Sequence, residues 1–300
     1  MKILGKTEFE KWSSLAQQKR KNLKMSFIKI FPKILKNLFS FIKAFFKSFA
    51  VAFSLYSKIP MPRFVWASSD MKYHFVFFPL VGLAICALEF LLKFLQLKFG
   101  FGQIFYLCFA LALPVLVTGG IHLDGFMDTA DSLSSYGTKE KKLEILKDPH
   151  IGAFSVISVV LYFLCALGFL SEIKSKSAFV CAGFSFVFSR IFSGLSVVFF
   201  KKAKNDGMAK AESENSAKKT VGAILILEFA FFAALLAFFL GGVSVHFFVT
   251  VLVFALSFFF YYFMSKKNFG GITGDLAGFF VCVSELCVLA SLSVCEIILR

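Results

Sequence analysis

Of 300 residues, 58% are hydrophobic and 17% charged, phenylalanine alone accounts for 45, and mean hydropathy is +0.78, a balance that excludes an ordinary soluble domain. The formal charge of +15 is not a nucleic-acid signature, because lysine and arginine gather in the segments between apolar runs, where they set membrane topology. The seven cysteines all fall inside apolar runs and form no Cys-x-x-Cys pair, so neither a disulfide framework nor a thiolate metal site is expected.

Residues 1–25 are polar and read as a tail. From residue 27 to 53, lysines 29, 33, 36, 43 and 47 share one side of a helical wheel while Phe, Ile and Leu fill the rest. That pattern predicts an amphipathic helix lying in the bilayer interface with its lysines towards anionic headgroups. No cleavable signal peptide is expected, since lysines break the first apolar stretch. Two domains follow: a basic tail with its interfacial helix over 1–48, and a membrane-embedded domain over 49–300.

Seven apolar runs come next, roughly at 72–95, 103–120, 151–171, 177–200, 220–240, 243–264 and 276–298. The expected fold is therefore all-α, a polytopic integral membrane protein with about seven transmembrane helices. Such a path puts 26 of the 33 basic residues on one side, which the positive-inside rule makes cytoplasmic. The polar loops after the second, fourth and sixth runs share that side. Arg190 is the single arginine within the seven runs, and in a span it needs a carboxylate or a polar cavity.

The loop after the second run opens with Gly-Gly-Ile-His-Leu-Asp-Gly-Phe-Met-Asp-Thr-Ala-Asp, residues 119–131. On a helix Asp124, Asp128 and Asp131 stand at i, i+4 and i+7 and project from one face. A helix start favours one acidic residue, whereas three in register repel unless a cation with oxygen ligands, Mg²⁺ first, joins them. The same loop ends Lys147-Asp148-Pro149-His150, where Asp148 is either a helix cap or a base, and His150 either a phosphate contact or a surface residue. Residues 201–219 are lysine-rich around an Asn205-Asp206-Gly207 turn. The last polar loop, Gly270-Gly271-Ile272-Thr273-Gly274-Asp275, offers backbone N–H groups for a phosphate and a further carboxylate. From residues alone, this describes a membrane-embedded, Mg²⁺-dependent transferase acting on a phosphorylated substrate.

These segments resemble the cobalamin synthase family, the adenosylcobinamide-GDP ribazoletransferases. The likeness rests on residues 119–131, Phe78-Pro79-Leu80-Val81-Gly82, Leu146 to Phe154 and 270–275, in the family's order and within residues 49–298. Ser57-Lys58-Ile59-Pro60-Met61-Pro62 resembles the family's opening motif, with Lys58 where arginine is usual, which removes a bidentate anion contact. The resemblance implies that adenosylcobinamide-GDP is joined to α-ribazole or its 5′-phosphate with release of GMP, with Mg²⁺ as cofactor. Asp124, Asp128, Asp131 and Asp275 would hold the metal. Asp128, His122 and Asp148 would be catalytic, and Gly270, Gly271, Thr273, Gly274, Lys147, His150 and Arg190 would bind substrate. It further implies a bacterial inner membrane, with the site facing the cytoplasm and no nucleic-acid partner; a homo-oligomer and docking of other cobalamin-pathway enzymes stay open. A CDP-alcohol phosphotransferase shares an Asp-Gly-containing aspartate cluster, but here Asp128-Thr129 replaces its Ala-Arg and its later Asp pair is missing. A secondary transporter would place ionisable residues at the midplane of several spans; Glu89, Glu228, Glu285 and Arg190 are material for this but form no readable pathway, and the aspartates lie in or beside loops.

Overall fold

The computed structural model describes residues 18–21, 31, 35, 39, 42–62, 65–203 and 217–300. The chain divides into two units, 1–47 and 48–300. In the first, the described residues are helical. Part of the amphipathic helix expected over 27–53, including Lys29, Lys33 and Lys36, and all of the Asn205–Gly207 turn lie outside the described residues.

Among the described residues of the second unit, helices are joined by short connections, with one isolated parallel bridge between Lys202 and Ile272. Helical residues 48–56 precede a 3-10 segment, Ser68–Phe77, which leads into α1, Phe78–Phe99. Pro79 at the start of α1 and Gly100 at its end, φ 68°, bracket that helix as backbone chemistry dictates. Then come α2 (Gln103–Thr118), α3 (Ile121–Ser134) and the short α4 (Lys139–Ile145). The remaining helices are α5 (Ala153–Glu172), α6 (Lys176–Phe199), α7 (Lys218–Phe239), α8 (Val245–Phe269) and α9 (Gly274–Ile298). Ser175, Ser244 and Thr273 cap α6, α8 and α9 by accepting from Ala178, Phe247 and Leu276 N–H groups.

Among the described residues six helices are long and apolar enough to cross a membrane: residues 69–99, α5, α6, α7, α8 and α9. Helix α2, on the second of the seven runs, has 16 residues and passes that test only together with α3, from which it is bent by 96°. Gly119 and Gly120, at φ 66° and 81°, make the corner. A right-angle bend means that if α2 crosses the bilayer, α3 runs roughly along it.

Helix α6 is the hub, packed against α1, α7, α8 and α9, with Val187, Phe188 and Ile191 fully buried. Phe259, Phe260 and Phe263 on α8 and Val160, Leu161 and Leu164 on α5 remain exposed, as expected of helix faces that meet lipid. At the end of α9 remote from Asp275, Glu296 accepts hydrogen bonds from Lys174 N, Ser175 N, Ser175 Oγ and His246 Nε2, tying α6, α8 and α9 together.

Helices α3 and α9 meet backbone to backbone. A Cβ added to Gly125 would lie 2.6 Å from the Asp275 carbonyl oxygen, and one on Gly278 would lie 3.2 Å from the His122 Cα. Small residues at a crossing allow this approach. Gly125→Val is therefore expected to lower the apparent Tm of the solubilised protein, by the equivalent of about 1–3 kcal/mol of overpacking. Gly168→Val on α5, where a Cβ meets nothing within 4 Å, is the control and should be neutral. Equal thermal unfolding of the two variants would contradict the crossing.

Candidate active site

Helix α3 projects Asp124, Asp128 and Asp131 as the spacing predicts; Asp124 is exposed and the other two are half-buried. The close α3–α9 crossing brings Asp275, in the first turn of α9, to the same place. Burial first, then the negative charges of Asp124, Asp275 and Asp131, push the Asp128 carboxyl up to about 6. Asp131 leans against the start of α5: a Cβ on Gly152 would lie 2.1 Å from its carboxylate oxygens. That contact puts a negative charge at the positive end of a helix and explains the glycine of the 147–154 segment. Among the described residues no three His, Cys, Asp or Glu side chains converge as a ready-made metal cage. The four aspartates share one electrostatic neighbourhood instead.

Other predicted residues border this face. Asp148 is exposed and accepts from His150 twice, from the backbone N–H at 3.0 Å and from Nδ1 at 2.6 Å. These bonds hold the Asp148 carboxyl below the usual carboxylate range. Because a carboxylate only accepts, Nδ1 carries the proton and Nε2 is left as the acceptor of a neutral His150. Lys147 is exposed beside them. The glycine loop is organised differently from a bare phosphate cradle. Ile272 N–H donates to Lys201 O at 2.8 Å and Ala203 N–H donates to Ile272 O at 2.9 Å, so part of the loop's backbone is already bonded to the 201–203 strand-like segment. Gly271 permits this, since its Cβ would lie 2.4 Å from Lys201 O. Gly270 is the αL residue ending α8, Thr273 caps α9, and Gly274 faces open space.

His122 and Arg190 are placed elsewhere. His122 stands on the opposite side of α3 from the aspartates, 8% exposed, against the Tyr56 and Phe78 rings. Arg190, on α6 and 1% exposed, pairs with Glu285 of α9 and donates to Ser189 Oγ at 2.9 Å and Phe186 O at 3.1 Å. Both line an internal cavity of about 100 Å³ that also reaches Glu89 and Tyr106. The sequence reading found Arg190 and its need for a partner but did not assign Glu285. An unexplained acid three helices further along, in an apolar run, was the available signal.

Fold and site together define a polytopic helical membrane protein with a carboxylate cluster and flanking lysines gathered at one end of its bundle. Residues 48–293 match the family described as cobalamin-5-phosphate synthase, and the chain belongs to that family. It is 40% identical over 238 residues to an adenosylcobinamide-GDP ribazoletransferase of Lachnoclostridium phytofermentans, covering 79% of this chain and 89% of that protein. It is 34% identical to the protein of that name in Clostridium perfringens, over 81% of this chain and 96% of the relative. In Fusobacterium nucleatum the figures are 29%, 80% and 94%. No solved structure matches.

The raised Asp128 carboxyl makes a stability prediction. Its ionised form is disfavoured in the fold, so the carboxyl costs stability progressively as pH rises from the ordinary carboxylate value, roughly 4, through about 6. Asp128→Asn should raise the apparent Tm in chelator at about pH 8, and the gain should vanish towards pH 4. A gain independent of pH, or a loss, contradicts the charge cluster.

Proposed function

We propose that this chain is an adenosylcobinamide-GDP ribazoletransferase that joins adenosylcobinamide-GDP to α-ribazole, or its 5′-phosphate, and releases GMP. The family match over 48–293 supports the reaction, and the close α3–α9 crossing that brings Asp275 to the aspartates of α3 is the observation that supports the site. A bacterial inner membrane, with the carboxylate end towards the cytoplasm, agrees with the distribution of basic residues.

The donor set is all oxygen and suits Mg²⁺, which usually takes one or two carboxylates plus substrate phosphates rather than an all-protein cage. Side chains sharing a field without converging fit that habit. Asp124, Asp128, Asp131 and Asp275 would hold the ion, which supplies charge neutralisation at the diphosphate when bound.

The chain's own groups do the rest. The ribazole hydroxyl oxygen forms a bond to the phosphorus carried by cobinamide, the bond from that phosphorus to the bridging oxygen breaks, and GMP leaves with the electron pair. The hydroxyl proton needs a base. His150 is oriented for this by Asp148, which fixes the proton on Nδ1 and leaves Nε2 to receive another. Asp148 then acts by positioning. His122, buried across α3, is the poorer candidate. Gly270 to Gly274, Lys147 and neighbouring lysines line the approach for the anionic substrate.

Purified protein in detergent should convert adenosylcobinamide-GDP and α-ribazole to corrinoid product and GMP, both followed by chromatography, only with Mg²⁺ present. Asp128→Asn is expected to lower kcat at least roughly a hundredfold with the fold intact. His150→Gln should lower kcat by roughly 10²–10⁴ with KM little changed. The Mg²⁺ concentration needed for half-maximal rate should rise as pH falls through about 6, where Asp128 takes up its proton. Turnover without metal, or full activity in Asp128→Asn, would overturn the metal assignment. Absence of product from folded protein would overturn the reaction.

A further inference from the structure

Sharing Gly270, Gly271 and Ile272 with the glycine loop lies a second cavity, of about 430 Å³, to which the transfer chemistry above assigns no part of the substrate. Its walls come from four places in the chain. Lys139 begins α4, Phe199, Phe200 and Lys201 follow one another at the end of α6, Tyr262, Ser265 and Lys266 lie on α8, and Gly270 to Ile272 close it. The size suits a small organic molecule. Lys139, Lys201 and Lys266 are all exposed, and among the described residues none of them forms an ion pair. Topology requires lysines at this end of the bundle but not three from three elements on one cavity. The cavity also has an aromatic wall. Phe200 and Tyr262 meet edge to face at 5.0 Å between ring centroids, and the Lys266 ammonium sits 5.7 Å from the Tyr262 ring centre. A planar base stacks on such rings while lysines hold its phosphates.

We propose that this cavity is a nucleotide subsite, in which Lys139, Lys201 and Lys266 hold the diphosphate of a purine nucleotide and Phe200 and Tyr262 take its base. The inference rests on the reaction proposed above and adds where the leaving half of the substrate sits. The placement is chemically coherent. Ile272 lines the cavity and Asp275 is three residues further on, so a diphosphate reaching from the lysines towards α3 meets cations on one side and the carboxylate cluster on the other. The bonds between Ile272 and residues 201–203 bring Lys201 to the glycine loop. On this reading the loop acts as a brace for the subsite.

The test uses the whole chain in phosphatidylcholine nanodiscs with labelled GMP in equilibrium dialysis. Changing Lys139, Lys201 and Lys266 together to Gln should weaken GMP binding roughly tenfold or more, the scale of lost charge-assisted hydrogen bonds. In the same variant KM for adenosylcobinamide-GDP should rise in parallel, while KM for α-ribazole stays as in the parent chain. Tyr262→Ala should weaken GMP but leave competition by pyrophosphate unaltered, which separates base stacking from simple charge attraction. Undiminished GMP binding by a triple variant that melts like the parent overturns the proposal. So does phosphatidylglycerol displacing GMP from the parent chain, which would make the cavity a lipid-headgroup site. Lysine-dependent GMP binding without corrinoid product would sink the reaction and leave the subsite standing; turnover with lysine-independent binding would do the reverse.

Discussion

Because Gly125 and Gly278 have no side chains, α3 and α9 touch through their backbones, and that contact sets the distance between three aspartates on one helix and a fourth on another. Packing of this kind is among the few strong forces between helices in lipid, where apolar burial gives little advantage of one helix over another. Here it is used to gather like charges. Burial first, and then the neighbouring negative charges, raise the Asp128 carboxyl, so the crossing holds together groups that would otherwise move apart. The same helix α3 is held from its other side by His122 packed on Tyr56 and Phe78, and at its end by Ser132 Oγ donating to Lys142 O at 2.7 Å. A cluster whose members repel needs this kind of external restraint to keep a fixed geometry.

The interior beneath α3 applies the opposite logic. Arg190 and Glu285 are opposite charges withdrawn from water, and a single loss from such a pair leaves its partner buried and uncompensated, at a cost of about 3–5 kcal/mol. Their attraction joins α6 to α9, the helix that carries Asp275. Arg190 Nε, His122 Nε2 and Glu89 Oε1 are buried around the same cavity without a hydrogen-bond partner among the described residues. A core that keeps polar atoms in this state trades stability for a specific arrangement. One carboxylate–arginine pair on two facing helices does not amount to the chain of midplane sites that a transporter requires.

The apolar runs made most of the bundle legible in sequence, because a spanning helix is encoded by consecutive residues and its ends by local chemistry such as Ser175, Ser244, Thr273 and the glycines after α1, α2 and α8. The three aspartates of α3 were legible for the same reason: i, i+4 and i+7 are neighbours on any helix. What escaped depends on contacts between residues far apart in the chain. Asp131 meets Gly152 across a loop, and Arg190 meets Glu285 across 95 positions. Neither partner carries a local pattern that names the other. Gly271 invited a phosphate reading because glycine lets any backbone come close, and the backbone that came close was residues 201–203. Lysines 139, 201 and 266 were hidden by a different effect, since the positive-inside rule already accounts for basic residues at this end and masks any second use.

That double use of lysine bears on how a membrane enzyme handles a substrate as anionic as a nucleoside diphosphate. Cations at this end of the bundle raise the local concentration of anions and draw them in, an effect spread over many residues and weakened by salt. Carboxylates at the same end repel the same substrate. The two tendencies are reconciled when they are separated in space, lysines around the cavity of the glycine loop and aspartates on α3 and the first turn of α9, with only the span from Ile272 to Asp275 between them. A divalent cation held by Asp124, Asp128, Asp131 and Asp275 would neutralise the repulsive half and leave the lysines to favour the anionic substrate. Without such a cation the carboxylates would oppose the binding that the lysines favour, so the separation of the two sets of charges is itself a requirement of the site.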